Sequence, residues 1–176
     1  PNDIASLPEI EETGATFGAN ARLKAIGYAK AAGIYTVADD SGLEVDALNG
    51  APGIFSARYA GEEGNDDLNN RKLLHELENV PDEKRTARFV CALALCASRS
   101  KSALEWTARD SCEGRIAHAL TGSNGFGYDP LFFYPPFNKT FGEIERAIKA
   151  TVSHRGKALA RLAKALPCLI DLHAKP

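Results

Sequence analysis

The sequence predicts an α/β protein, a mixed central β-sheet flanked by helices and carrying a ligand cleft. Three observations lead there. Capped, amphipathic helical stretches alternate with short apolar runs. One of those runs, TARFVCALALCA at 86–97, is apolar on both alternating faces, as a central strand covered on two sides must be. Polar clusters follow the runs, where open α/β sheets place ligand chemistry. The 176 residues suit a single domain spanning 1–176, and 44% hydrophobic with 25% charged residues suffices to bury one full core.

In chain order, Thr16 is placed to cap a helix over 17–32, with Phe17, Ala21, Ala25 and Tyr28 on one stripe and Gly33 as its stop. Residues 34–38 read as a short buried strand that delivers Asp39-Asp40-Ser41-Gly42 at its carboxyl end. The stretch 43–61, with Gly50, Pro52 and Gly53, reads as an ordered loop. A second amphipathic helix follows over 66–77 through Leu68, Leu73, Leu74 and Leu77. The central strand at 86–97 turns at 100–102 and returns as a long antiparallel partner over 104–116. Residues 131–134 form a short aromatic strand. A helix near 141–147 and a stronger one over 155–173, interrupted at Pro167, close the chain.

A formal net charge of −2 removes any general attraction to nucleic acid or anionic membranes, so an anionic ligand must be held by a few placed cations. The expected partner is a small molecule. No apolar run approaches the roughly 18–20 residues of a membrane span, and the opening PNDIASLPEIEETG has no signal-peptide core, so a cytoplasmic protein is expected. Cys91, Cys96, Cys112 and Cys168 lie far apart without C-x-x-C spacing, and read as buried thiols rather than a zinc site or disulfides. A start at Pro1 in a chain without methionine reads as a fragment missing its natural beginning.

Three clusters carry chemistry. Asp39 and Asp40 can bind magnesium or draw a proton from water, or can form a surface turn, since D-D-S-G is ordinary loop chemistry. GSNGFGYDP at 122–130 lets backbone amides approach a planar ligand beside Phe126 and Tyr128, or is a glycine-rich turn with core aromatics. Ser153-His154-Arg155-Gly156 opens the last helix, where free N–H groups join an imidazole and a guanidinium; it is an anion or base-edge site, or a capped helix with two solvated side chains.

In order and spacing, ETGATFGANARLKA (12–25), ADDSGLEVDALNGAPGIFSARYAG (38–61), GFGYDPLFF (125–133) and SHRGKAL (153–159) resemble the inosine triphosphate pyrophosphatase family over essentially the whole chain. The resemblance implies Mg2+-dependent hydrolysis of ITP, dITP or XTP to the monophosphate and pyrophosphate by cytoplasmic homodimers. It makes Asp40 the metal-binding carboxylate and proton acceptor, with Ser41 contacting the substrate beside it and Lys24 reaching the triphosphate. Phe126, Gly127, Tyr128 and Asp129 match the base-recognition loop, and Lys149, His154 and Arg155 the residues that close around the base.

The chain departs from the family pattern at Ala19, where a metal-holding glutamate is usual, and at Ile148, where a glutamate precedes the lysine. The family's opening strand and T-x-N-x-x-K phosphate loop have no counterpart after Pro1. Those departures keep open a relative that binds nucleotides without turnover. A pyrophosphatase for modified pyrimidines shares the general architecture, but the S-H-R run and the GFGYD loop argue against it.

Overall fold

Capping decides where the first helix begins and ends. In the computed structural model, which describes residues 7–62, 64–97 and 104–174, Thr16 accepts the Ala19 N–H at 3.1 Å, and α1 (Phe17–Ala32) closes on Gly33 at φ 70°. Phe17, Ala21 and Ala25 are buried as their spacing implies; Ala29 completes that face and Tyr28 is half-buried. Midway along it, a side chain on Gly27 would meet Ile10 Cδ1 at 2.5 Å, so the acidic opening segment lies directly against the helix.

β1 (Thr36–Val45), β2 (Thr86–Cys96), β3 (Leu104–Ile116), β4 (Phe132–Tyr134) and β5 (Lys139–Thr140) follow one another in a five-stranded sheet, and the architecture is α/β. β4 pairs antiparallel with β3, Arg115 opposite Phe133, and with β5, Phe133 opposite Thr140. The described residues within 1–40, 91–110 and 158–176 gather into one compact unit, and those within 41–90 and 111–157 into another.

In the first unit Cys91, Leu93 and Leu95 pack with Ala158 and Leu162 of α4 (His154–Ala174), and Trp106 and Leu169 lie against them. The second has the larger core, from Leu43 and Val45 through Leu73, Leu77 and Ile116 to Ile144. At its centre the Phe89 ring lies 4.5 Å from Phe132 and 5.9 Å from Phe141. Burying each such ring contributes about 2–3 kcal/mol. Arg85 is buried beside it and donates to the carbonyls of Leu77 (2.7 Å), Ile116 (2.9 Å) and Ala117 (3.0 Å), closing a helix end and a strand end with one guanidinium.

Several sequence expectations change. The strand expected at 34–38 begins at Thr36 and runs through the acid pair to Val45, so Asp39 and Asp40 lie within β1 and not beyond its end. Ile34, Tyr35 and Val37, expected inside, are 52%, 48% and 44% exposed. The rest of the expected loop folds into tight helical turns at Asp46–Leu48 and Gly53–Arg58.

In α2 (Asp66–Glu76) Leu73 and the capping Leu77 are buried, but Leu68 faces out because Asn69 and Asn70 take the inward positions. The helix expected at 141–147 divides into a turn at Phe141–Glu143, started by a Thr140–Glu143 capping box, and α3 (Arg146–Val152). Ile144 separates them by entering the core in an extended conformation. α4 is not interrupted at Pro167. Pro167 is exposed, and so is Ala163, whose carbonyl would have accepted the missing N–H, so that carbonyl can turn to water.

Cys91, Cys96 and Cys112 are buried thiols as expected, whereas Cys168 is exposed. The turn expected at 100–102 lies outside the described residues. No helix among the described residues is long and apolar enough to cross a membrane.

Candidate active site

The two-residue alternation of β1 turns Ala38, Asp40 and Gly42 to a buried face, and the half-buried Asp39 and Ser41 to the other. Asp40 is only 9% exposed, and its carboxylate is held from two sides by α1. Lys24 Nζ donates to Oδ1 at 3.0 Å and Asn20 Nδ2 to Oδ2 at 3.3 Å. Asn20 and Lys24 are four residues apart and therefore share one helix face. The fully buried Asn20 amide is itself oriented, because its Oδ1 accepts the Gly14 N–H at 2.8 Å. Lys24 also donates to Glu12 Oε1 at 2.6 Å.

Burial pushes the Asp40 carboxyl above the ordinary carboxylate value; the bonds from Lys24 and Asn20 pull the other way, and the Glu12 charge adds to the rise. Burial by itself would lower Lys24, but its bonds to Glu12 and Asp40 outweigh that and raise it, so the ammonium stays charged. The result is a sheltered carboxylate of increased basicity next to a fixed positive charge. Such a pair can take a proton from water and balance negative charge on a phosphate.

The donor set suits a hard cation shared with a ligand. Glu12 and Asp40 each place an oxygen on the same Lys24 ammonium, at 2.6 Å and 3.0 Å. No group of three His, Cys, Asp or Glu side chains among the described residues could cage a metal. Magnesium is commonly bound through one or two carboxylates, with substrate phosphates and water completing its shell. Ala19, in the first turn of α1, adds no donor.

The second cluster belongs to the other unit and is built on the loop before β4. Gly125 adopts φ 78°, where a side chain would strike Asp129 Oδ2 at 1.9 Å. That carboxylate accepts the Phe126 N–H at 2.9 Å and is ion-paired with Lys149. Tyr128 is buried, and its hydroxyl donates to the Ser56 carbonyl at 2.9 Å. Burial raises its pKa, so it is a neutral donor.

Phe126, in contrast, is 66% exposed, with the Lys149 ammonium 5.5 Å and the Arg155 guanidinium 5.8 Å from its ring centre. His154 is buried, stacked on Phe89 at 4.8 Å, while Ser153 Oγ accepts the Gly156 N–H at 3.1 Å and caps α4. An exposed aromatic face flanked by cations, with buried polar groups behind it, can stack on a planar base and bond to its edge.

Of the residues expected from the sequence, Lys24 and Asp40 are in direct contact, and Phe126, Asp129, Lys149 and Arg155 form one connected group. Ser41, next along β1, is half-buried where Asp40 is buried. Sequence reasoning missed Glu12 and Asn20 as partners of that cluster. The Asn20–Lys24 spacing was a readable signal for one of them; Glu12 had none.

The sequence profile of the Ham1 family matches residues 1–165. A dITP/XTP pyrophosphatase of Exiguobacterium sibiricum is 50% identical over 164 residues, covering 93% of this chain and 81% of the relative. One of Syntrophobacter fumaroxidans is 52% identical over 175 residues, 99% of this chain and 73% of the relative. The solved structure of a HAM1 protein from Coxiella burnetii superposes with a TM-score of 0.84 at 43% identity, over 92% of this chain and 81% of that one. With its profile, its half-identical relatives and its fold in agreement, this chain belongs to the Ham1 family.

Proposed function

We propose that the chain is a nucleoside triphosphate pyrophosphatase that hydrolyses noncanonical purine nucleotides, ITP, dITP and XTP, to the monophosphate and pyrophosphate, clearing them from the precursor pool. Asp40 carries this reading: a buried carboxylate of raised pKa, oriented by Asn20 and paired with Lys24, is suited to take the proton of an attacking water. The relatives named dITP/XTP pyrophosphatase support the choice of substrate.

In this mechanism Lys24 draws on the triphosphate oxygens and Asp40 orients and deprotonates water for attack on phosphorus. The phosphoanhydride breaks with pyrophosphate as leaving group, and no covalent nucleophile is needed. Mg2+, held by Asp40 and Glu12, would neutralise phosphate charge. Phe126 stacks on the base; Gly127, Tyr128 and Asp129 shape the loop that receives it. Lys149, His154 and Arg155 supply donors for its 6-oxo edge, and Ser41 takes a supporting substrate contact. The reading includes a cytoplasmic homodimer, to be checked by light scattering.

The test is pyrophosphate release from ITP, dITP and XTP against ATP and GTP, with and without Mg2+, alongside ITP titration calorimetry. Release favouring the first three supports the reading, and absence of both release and binding overturns it. Binding without release marks a nucleotide-binding relative that lacks turnover, the alternative that Ala19 favours.

A further inference from the structure

We propose that Asp66 and Asn70 are positioning residues that clamp Gly127 and thereby hold Phe126 at the angle needed to stack on a purine base. The inference rests on the reading that the 125–129 loop receives the base. Phe126 is 66% exposed, so side-chain packing does not fix its ring; the backbone that carries it must. That backbone turns at Gly127, whose φ of 61° lies in the left-handed region.

Both polar groups of Gly127 are captured by α2. Asp66 Oδ2 accepts its N–H at 2.7 Å, and Asn70 Nδ2 donates to its carbonyl at 3.0 Å. Four residues apart on one helix, the two side chains share a face and present an acceptor and a donor to the two sides of one residue. Asp129 takes the preceding N–H, of Phe126, at 2.9 Å. The backbone on each side of the Phe126–Gly127 link is thus tied down, and the same residues, Asp66, Asn70, Phe126 and Gly127, line a cavity of about 230 Å³.

Asn70 carries a second, independent mark. It is 5% exposed, and its Oδ1 is buried without a hydrogen-bond partner among the described residues. An unpaired buried acceptor destabilises a fold, and a leucine of similar size would avoid that penalty. The favourable element at this position is therefore the N–H given to Gly127. Both residues belong to the unit that carries the 125–129 loop, whereas the Asp40 cluster belongs to the other. Loosening the clamp therefore weakens base binding through lost preorganisation while the reacting groups keep their geometry.

The experiment compares Asp66→Ala, Asp66→Asn, Asn70→Leu and the parent in steady-state kinetics with ITP and ATP, with amide hydrogen exchange followed at Gly127. Asp66→Ala and Asn70→Leu are expected to raise KM for ITP about 10-fold, with kcat changed less than about twofold and a narrowed ITP-to-ATP preference. Gly127 should lose exchange protection in Asp66→Ala. Asp66→Asn, which keeps an acceptor oxygen, should restore protection and KM.

A purely structural role would lower thermal stability or active fraction without moving KM. Asp66 is exposed, so its variants decide the matter even where an Asn70 variant does not fold. Unchanged KM and preference in Asp66→Ala, or an Asp66→Asn as impaired as the alanine variant, overturns the clamp while parental ITP hydrolysis leaves the function standing. A parent that neither binds nor hydrolyses ITP overturns the base-receiving role of the loop and the clamp with it.

Discussion

Replacing Asp40 by asparagine separates the charge of that side chain from its shape, and the surrounding bonds allow the outcome to be worked through. Lys24 Nζ reaches one oxygen at 3.0 Å and Asn20 Nδ2 the other at 3.3 Å, so both neighbours are donors. An amide offers a single acceptor. Asn20 cannot turn to help, because its own oxygen is committed to the Gly14 N–H at 2.8 Å. Whichever way the new amide points, one donor faces a donor, at about 1–3 kcal/mol.

Removing a carboxylate whose pKa burial has raised works in the opposite direction, since the folded state no longer shelters a disfavoured charge. Stability should therefore change by less than about 2 kcal/mol, or about 4–8 °C in Tm for a chain of this size. Pyrophosphate release from ITP should fall at least about 100-fold, the usual scale for losing a general base. A double variant, Asp40→Asn with Asn20→Asp, restores every hydrogen bond with the carboxylate on the wrong residue. It should regain the lost Tm and none of the activity. Near-parental turnover in the single variant, or recovery of activity in the double, would refute the role given to Asp40.

In the metal-free protein burial raises the Asp40 pKa, so on acidification its carboxylate should be protonated at a higher pH than an ordinary carboxyl at 3.8; carboxyl titration followed by NMR without Mg2+ checks this, and a midpoint at or below 3.8 contradicts the burial argument. Lys24 is raised above 10.5, so the stability it contributes is fully present below that pH and lost as pH rises through the higher folded value, which Lys24→Met should abolish in alkaline melting curves. Arg155→Ala should lower kcat/KM for ITP by on the order of 10- to 1,000-fold and narrow the ITP-to-ATP ratio, whereas equal loss on both substrates would assign Arg155 to phosphate or structure. Ala19→Glu should lower the Mg2+ concentration for half-maximal activity, and an unchanged requirement would mean that position 19 does not face the ion.

Local signals accounted for much of this protein. Thr16 and Gly33 set both ends of α1, because a cap bond and a left-handed stop involve residues within one turn of each other. The doubly apolar run from Thr86 became β2, buried on both faces, since a strand with no polar face has no side to give to water. The motif residues Lys24, Asp40, Phe126, Asp129, Lys149 and Arg155 were likewise legible, as spaced residue types and as a family resemblance.

Contacts between distant segments settled the rest. The acid pair entered β1 because Lys24 and Asn20, 16 and 20 residues away, pair the carboxylate that would otherwise be expelled from a buried strand face. Ile144 broke the expected helix because the core needed its side chain, an energy no local propensity contains. Glu12 reached Lys24, and Asp66 and Asn70 reached Gly127 across 61 and 57 residues, by hydrogen bonds whose partners exist only once the chain has folded. Periodicity and capping act over a few residues, whereas the pairing of a buried charge or peptide group is fixed by whichever segment packs beside it.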